Sequence, residues 1–351
     1  MKKLLLLATL VMLCFIINAQ SVPEIKPSVN AKQFISGASS NVGLHNGQPT
    51  ITIPLFTLEG KGINVPITLV FNGADITSES EASNIGLGWS LMAGGVITAT
   101  IRDKDDNLTT RAADVEWQYN NNFLSSMQSR QSANLYTSTN EFDMAMGRVM
   151  GGDTQPDIYN YSFPGYSGEI CFRFDNNNVR KGTLYPDNTL VLTKTTDGYK
   201  ITTDNGVDYY FESKETNMLS TSSATTSWFL SEIRTIQGGH AVFTYETEYM
   251  YDLTSDYGDS RGYPRISTKR LTRIDTDYGH VEFKSTSRED IPEEKRMTGI
   301  ELYNVNGILI KGYELDNNGY FTNASNLHPT AFHNKRLKLS SVREYNQAKD
   351  Y

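Results

Sequence analysis

Gly86-Leu87-Gly88-Trp89-Ser90-Leu91-Met92-Ala93-Gly94-Gly95, followed by Val96-Ile97-Thr98, decides how this chain is read. Four glycines and a tryptophan stand between two strand-like runs. Glycine at such density marks positive φ or close backbone approach, and Trp89 is expected as a large buried anchor. The segment holds no nucleophile–base pair and no metal-ligand spacing. It reads as a shape motif, which favours a secreted structural or binding protein over an enzyme.

Outward from the block, the flanks are β-like. Thr50–Leu58 alternates as a strand, Glu59-Gly60-Lys61-Gly62 reads as a four-residue glycine turn, and Ile63–Phe71 answers it. Pro54 and Pro66 place this hairpin at a sheet margin or a sharp bend. Asn72–Asn84 is a polar connection, and Val96–Ile101 is a further strand.

Beyond Pro156 the chain is strand, turn, strand. Turns are expected at Asp204-Asn205-Gly206, Gln237-Gly238-Gly239-His240, Asp277-Tyr278-Gly279-His280 and Asn304-Val305-Asn306-Gly307. Three units open alike, at Leu230-x-x-Ile233, Leu271-x-x-Ile274 and Met297-x-x-Ile300. Their answering strands carry Phe243 and Phe283 in the first two. This is an imperfect hairpin repeat, and such units bury their apolar faces by stacking. An ordinary antiparallel protein with frequent hairpins is the alternative.

Residues 103–155 differ. Val115, Tyr119, Phe123 and Met127 recur at spacing four, which supports a short amphipathic helix interrupted by Asn120-Asn121-Asn122. The stretch reads as an insertion, with a disordered linker as the alternative.

The N-terminus reads as an export signal. Lys2 and Lys3 precede a fourteen-residue stretch, Leu4–Ile17, apolar but for Thr9, and Asn18-Ala19-Gln20 offers a cleavage site. As a helix that run spans about 21 Å, short of a ~30 Å hydrocarbon core, which argues against the alternative of a membrane anchor. Cys14 follows Leu13, not the small residue a lipidation site wants. Cleavage leaves Cys171 as the one cysteine, so no internal disulfide forms, and its apolar run suggests a small core residue. The signal carries two lysines and no acids, which takes the formal net charge from −8 to −10. An acidic exported chain is a poor partner for nucleic acid or anionic membranes. Roughly 330 remaining residues suit two domains or one elongated one.

Catalytic chemistry is hard to place. The five histidines are His45, His240, His280, His328 and His333, and none falls in a zinc motif. His240 and His280 sit at equivalent turns and read as solvated. Gly165-Tyr166-Ser167-Gly168 is one residue short of a nucleophile elbow and lacks the strand-to-helix context. Asp103, Asp105, Asn107 and Asp114 match calcium-loop positions one, three, five and twelve, but Leu108 stands where glycine is needed. Asp252, Asp256 and Asp259 read as a solvated polar loop. Forty acids make a glycosidase pair unassignable by sequence. The reading therefore assigns no catalytic, cofactor-binding or metal residues and no cofactor.

His45-Asn46-Gly47-Gln48-Pro49-Thr50-Ile51-Thr52-Ile53-Pro54-Leu55, Val65–Leu69 and Glu81–Thr98 resemble the N-terminal region of the secreted RHS/YD-repeat proteins of Gram-negative bacteria. So do Pro156–Tyr159 with Phe163–Gly168, Ser227–Ile233 and Arg336–Val342. The likeness runs over about residues 33–345, and the glycine–tryptophan block is its specific part. It implies β ribbons that spiral into a hollow shell, commonly carrying a C-terminal toxin or acting at cell surfaces. Relatives continue well past the point where this chain stops at Tyr351. No run of Tyr-Asp repeats, self-cleaving core motif or toxin domain is seen, and Asp275-Thr276-Asp277-Tyr278-Gly279 only approximates a repeat.

The expectation is an all-β protein of antiparallel, hairpin-rich sheets with a partly helical insertion. Its parts are a signal peptide (1–20), an N-terminal β module with the glycine–tryptophan motif (21–102), a polar insertion (103–155) and a hairpin repeat-like region (156–351), truncated at its end. The expected role is an exported, non-enzymatic structural module, periplasmic, outer-surface or extracellular. Its partners would be a missing C-terminal shell or toxin portion, or a surface protein or glycan. No nucleic acid partner and no membrane span after signal removal are expected. The alternatives are a glycan- or protein-binding adhesion module and, less favoured, a hydrolase.

Overall fold

The computed structural model describes residues 24–39, 50–73, 76, 80–102, 105, 157–174, 180–187, 189–219, 222–250, 266–322 and 334–348. The export signal, Cys14, the 103–155 insertion apart from Asp105, His45, His328, His333 and Asp252–Asp259 lie outside these residues.

The N-terminal part runs β1 (Glu24–Ile25), α1 (Val29–Ser39), β2 (Thr50–Gly60), β3 (Ile63–Asn72), β4 (Trp89–Met92) and β5 (Val96–Arg102). Next come β6 (Ile158–Phe163), β7 (Tyr166–Phe174), β8 (Arg180–Tyr185), β9 (Val191–Lys194) and β10 (Tyr199–Thr202). The long hairpin strands follow as β11 (Asp208–Leu219), β12 (Ser222–Arg234), β13 (His240–Met250) and β14 (Ile266–Thr276). The chain then forms β15 (Gly279–Ser287), β16 (Lys295–Asn304), β17 (Leu309–Asp316), β18 (Gly319–Thr322), β19 (Lys335–Lys338) and β20 (Ser341–Asn346).

The protein is all-β with antiparallel pairing, as the sequence predicts. Fifteen strands share one large sheet, β2–β3–β4 form a three-stranded sheet, and β18–β19 pair separately. Strand β5 lies between β12 and β6, with Trp228 opposite Ile97 and Tyr161 opposite Ile97 from the other side. The β13–β14 hairpin pairs with β12 at Glu232–Arg234 and with β11 at Thr216–Asn217, the opposite end of the β11–β12 ribbon. The two ribbons are therefore joined at both ends.

The turn chemistry places most hairpins. Gly206, Gly238 and Gly307 occupy their turns at φ 77°, 76° and 73°, the left-handed region that favours glycine. The repeated apolar pairs are core: Leu230, Ile233, Ile274, Met297 and Ile300 are all at or below 2% exposed, with Phe243 and Phe283 at 4%. Register puts neighbouring hairpin tips beside each other, since Ala241 faces Thr276 and Gly279 faces Asn304.

Several expectations need correction. The Glu59–Gly62 turn is tighter than four residues, because Gly60 already pairs with Ile63 and only Lys61-Gly62 turns. The turn docks rather than hanging free: Thr276 Oγ1 donates to Glu59 O at 2.7 Å and Thr235 Oγ1 to Lys61 O at 3.1 Å. The prolines stand as expected: Pro54 lies on edge strand β2 beside a register shift. Pro66 lies where β3 is flanked by β2 alone, because β4 pairs only with Thr68–Phe71.

Trp89 is half-buried, not a fully buried anchor. It packs on Phe71 with ring centroids 5.4 Å apart, on a four-residue strand at a sheet edge. Among the described residues the buried tryptophan is Trp228, 4% exposed and edge-on to Tyr199 at 5.1 Å. Cys171 is exposed, not core. Strand alternation turns Ile170 inward opposite Leu184 and puts Cys171 outward opposite Thr183.

Helix α1 was not anticipated. Ser28 caps it, with Ala31 N donating to Ser28 Oγ at 3.4 Å. Ala31 and Phe34 are buried and pack with Val96 and Phe229.

Candidate functional site

The glycine block sits at the seam between the two larger sheets. Gly86 has φ 154°, and a Cβ there would stand 2.8 Å from Leu339 N. Gly94 has φ 96°, and its Cβ would stand 2.8 Å from the Phe243 ring. These two glycines let the chain lie flat against β19 and β13. Main-chain bonds then fix it on three sides. Leu87 N donates to Leu337 O, Met297 N to Asn84 O and Leu230 N to Gly95 O, each at 2.8 Å. Within the block, Ser83 Oγ accepts from Ile85 N at 3.1 Å and donates to Trp89 O at 2.6 Å.

Beneath the block lies a buried charge cluster. The loop between β15 and β16 carries Arg288, Asp290 and Glu294, whose side chains are 0%, 2% and 3% exposed. Arg288 spends all five guanidinium donors. Nε and Nη2 grip Asp290 at 2.8 and 2.7 Å. Nη1 reaches Glu294 Oε2 at 3.0 Å and Ser83 O at 3.1 Å, and Nη2 reaches Ala82 O at 3.1 Å. Asp290 Oδ2 also accepts from Leu337 N at 2.7 Å. Asn30 of α1 closes the circuit: its amide reaches Glu294 Oε1 at 3.4 Å, and its Oδ1 accepts from Asn84 N at 2.9 Å. Asn317, fully buried, donates to Ile85 O at 3.1 Å and Met297 O at 2.8 Å.

Two carboxylates share one guanidinium here, and Asp290 takes its bidentate face. Burial pushes the Glu294 carboxyl up to about 7; Arg288 pulls it down, while Glu248, Glu81 and Glu215 push it further up. Burial opposes the charge on Arg288, but bonding to Asp290 and the nearby Glu294 hold its proton more tightly than usual.

Two further buried clusters tie distant segments together. Glu215 on β11, 0% exposed, accepts from Ser28 N at 2.9 Å, Thr226 Oγ1 at 3.2 Å and Ser227 Oγ at 2.9 Å through Oε1, and from Thr268 Oγ1 at 2.6 Å through Oε2. Arg270 on β14 binds Glu248 at 2.5 Å and Ser285 at 2.6 Å, and also contacts Glu246. The Glu215 cluster joins segments remote in sequence, the Arg270 cluster ties β14 to its neighbours β13 and β15, and each is closed to solvent at its centre. Chemically these arrangements hold segments together; none presents a nucleophile and base to an open cleft.

The residues weighed in the sequence are dispersed. His240 is exposed and bonded to Glu232. His280 is not solvated as expected: it stacks on Tyr303 with ring centroids 4.8 Å apart, and burial lowers its pKa. Ser167 lies on β7, just past the Pro164-Gly165 turn of the β6–β7 hairpin, so no helix follows it. Asp105 is the one described member of the calcium-like loop. Among the described residues, no group of three or more His, Cys, Asp or Glu is placed to hold a metal ion. A cavity of about 100 Å³ between α1 and the block is lined by Lys32, Gln33, Asn72, Glu81, Leu87 and Ser90. That is well below the ~300 Å³ at which ligand pockets begin. No helix among the described residues is long and apolar enough to cross a membrane.

Sequence reading missed Arg288, Asp290, Glu294 and Glu215. The first three sit in a charge-dense loop that looks solvated. Glu215 lies opposite Ser227, beyond a bulge that breaks its parity with Phe211, so no local pattern marks it as inward.

No protein-family model matches the chain, and no curated protein matches it. Solved structures with a similar arrangement include the N-terminal domain of effector protein SpvB from Salmonella typhimurium strain LT2. It aligns at TM-score 0.48 and 11% identity over 84% of this chain and 98% of that one. A TcdB2–TccC3 structure without its hypervariable C-terminal region aligns at TM-score 0.46 and 11% identity, over 95% of this chain and 16% of that one. The Photorhabdus luminescens Tc holotoxin pore aligns at 0.44 and 13% identity, over 87% of this chain and 15% of that one. The chain thus spans nearly all of the SpvB domain and a small part of the Tc chains.

Proposed function

We propose that this chain is an exported, non-enzymatic structural module of the RHS/YD-repeat kind, in which the glycine–tryptophan block seats an N-terminal sheet on a hairpin ladder. The observation that carries the reading is the use made of its buried charges. Arg288 and Glu215 are bonded to segments far away in sequence, 205 and 187 residues off, and hold them in place. The Arg288 cluster grips Ala82–Asn84, the residues that lead into the glycine–tryptophan block, the specific part of the family resemblance. The partner proposed is protein, a shell or toxin portion of the kind the family resemblance implies.

The test is an activity screen of the purified full chain against glycan, ester and peptide panels. No turnover above buffer is expected. Turnover that follows the protein through two purification columns and falls on a single carboxylate substitution would refute the non-enzymatic reading.

A further inference from the structure

We propose that the Arg288–Asp290–Glu294 cluster is a pH-operated latch, which seats the glycine block and helix α1 in acid and loosens them toward neutral and alkaline pH. The inference goes beyond the structural role proposed above. It stands on the count of charges in a closed space. One guanidinium faces two carboxylates whose side chains are at most 3% exposed. With a proton on Glu294 the cluster is neutral. With it off, the cluster carries one uncompensated negative charge where water does not reach, and that state favours opening.

The groups around Glu294 bias it the same way. From its own loop come Arg288 and Asp290, the latter holding the guanidinium with two bonds. From the segment leading into the block comes Glu81, from β11 Glu215, and from β13 Glu248, and each pushes the Glu294 carboxyl up. Glu248 is itself partnered by Arg270 of β14. Lys295, next in sequence, turns to Glu246 at 3.5 Å. Helix α1 offers only the neutral Asn30 amide. Tyr320 of β18 meets the loop at Glu289 N, 2.8 Å away. Arg288 is thus the one cation bonded to Glu294 among the described residues.

The sign follows from linkage. Glu294 binds its proton more tightly folded, with a pKa near 7, than in an opened chain. The stability it contributes is therefore complete below the ordinary carboxylate range and is lost as pH rises through about 7. What opens is set by the bonds the cluster makes: Ala82 O, Ser83 O, Asn84 through Asn30, and Leu337 N.

The experiment is hydrogen–deuterium exchange of the full chain and its E294Q variant from pH 5.5 to 8.5, corrected for intrinsic rates. In wild type, opening of peptides covering 82–86 and 29–36 is expected to rise about tenfold between pH 5.5 and 6.5 and to level off above pH 7. E294Q should show no such rise, and β17 (309–316) should not follow it in either protein. Parallel profiles in wild type and E294Q overturn the latch. Should E294Q fail to fold, wild type decides alone: opening of 82–86 that rises no faster than that of 309–316 overturns it.

Discussion

Replacing Arg288 by Met should be among the most damaging single changes available in this chain. The substitution keeps length and apolar stem but removes five N–H donors. Asp290 loses two bonds and Glu294 one, while Ala82 O and Ser83 O lose their side-chain partner. Removing one partner of a buried ion pair typically costs about 3–5 kcal/mol, because the remaining charge stays desolvated. An orphaned buried acceptor adds roughly 1–3 kcal/mol. The expected loss at pH 7 is therefore about 5 kcal/mol, comparable to the whole stability of many domains, ~5–15 kcal/mol. Urea unfolding followed by tryptophan fluorescence measures it, provided the m-value holds. Acid should relieve part of the loss, since an unpaired Glu294 accepts a proton readily. The decisive control is a triple variant, Arg288→Met with Asp290→Leu and Glu294→Leu. With no charge left to strand, it should recover most of the loss. Arg288→Met within about 1 kcal/mol of wild type, or a triple variant no better than the single, would refute the reasoning.

Two other expectations separate the observed packing from the sequence reading. Trp228→Ala should cost about 3–5 kcal/mol, as large core truncations do, whereas Trp89→Ala should cost roughly half as much; urea midpoints compare them, and equal losses would contradict the packing. The Cys171 thiol should react fully with a thiol reagent in the native chain, without denaturant, because it is exposed; a thiol that reacts only after unfolding would place it in the core.

What the sequence made legible is local. Turns at Gly206, Gly238 and Gly307 follow from the need for positive φ, and the Leu–Ile pairs follow from strand parity within single hairpins. Parity would also have turned Cys171 outward, since Ile170 is the inward residue of that pair; the apolar run hid the alternation. Trp89 and Trp228 look alike in sequence, but β4 has four residues and one neighbour, while β12 is covered by β11 and β5. That difference is a matter of long-range pairing. The same is true of Arg288: Ser287–Arg296 reads as a solvated loop until Ala82, Ser83 and Leu337 are brought over it. Helix α1 had a signal, Ser28 after Pro27, but its eleven residues carry too weak an apolar stripe to stand out among strands.

If the block and the charges beneath it hold the N-terminal sheet on the hairpin ladder, the two unfold as one unit. Denaturant unfolding of the full chain tests it most directly, with far-UV circular dichroism for the sheets and exchange protection of residues 82–86 for the seam. Both should report one transition at the same urea concentration, at a pH of about 5.5 where Glu294 keeps its proton. A seam that loses protection well before the sheets unfold, at that pH, would contradict it.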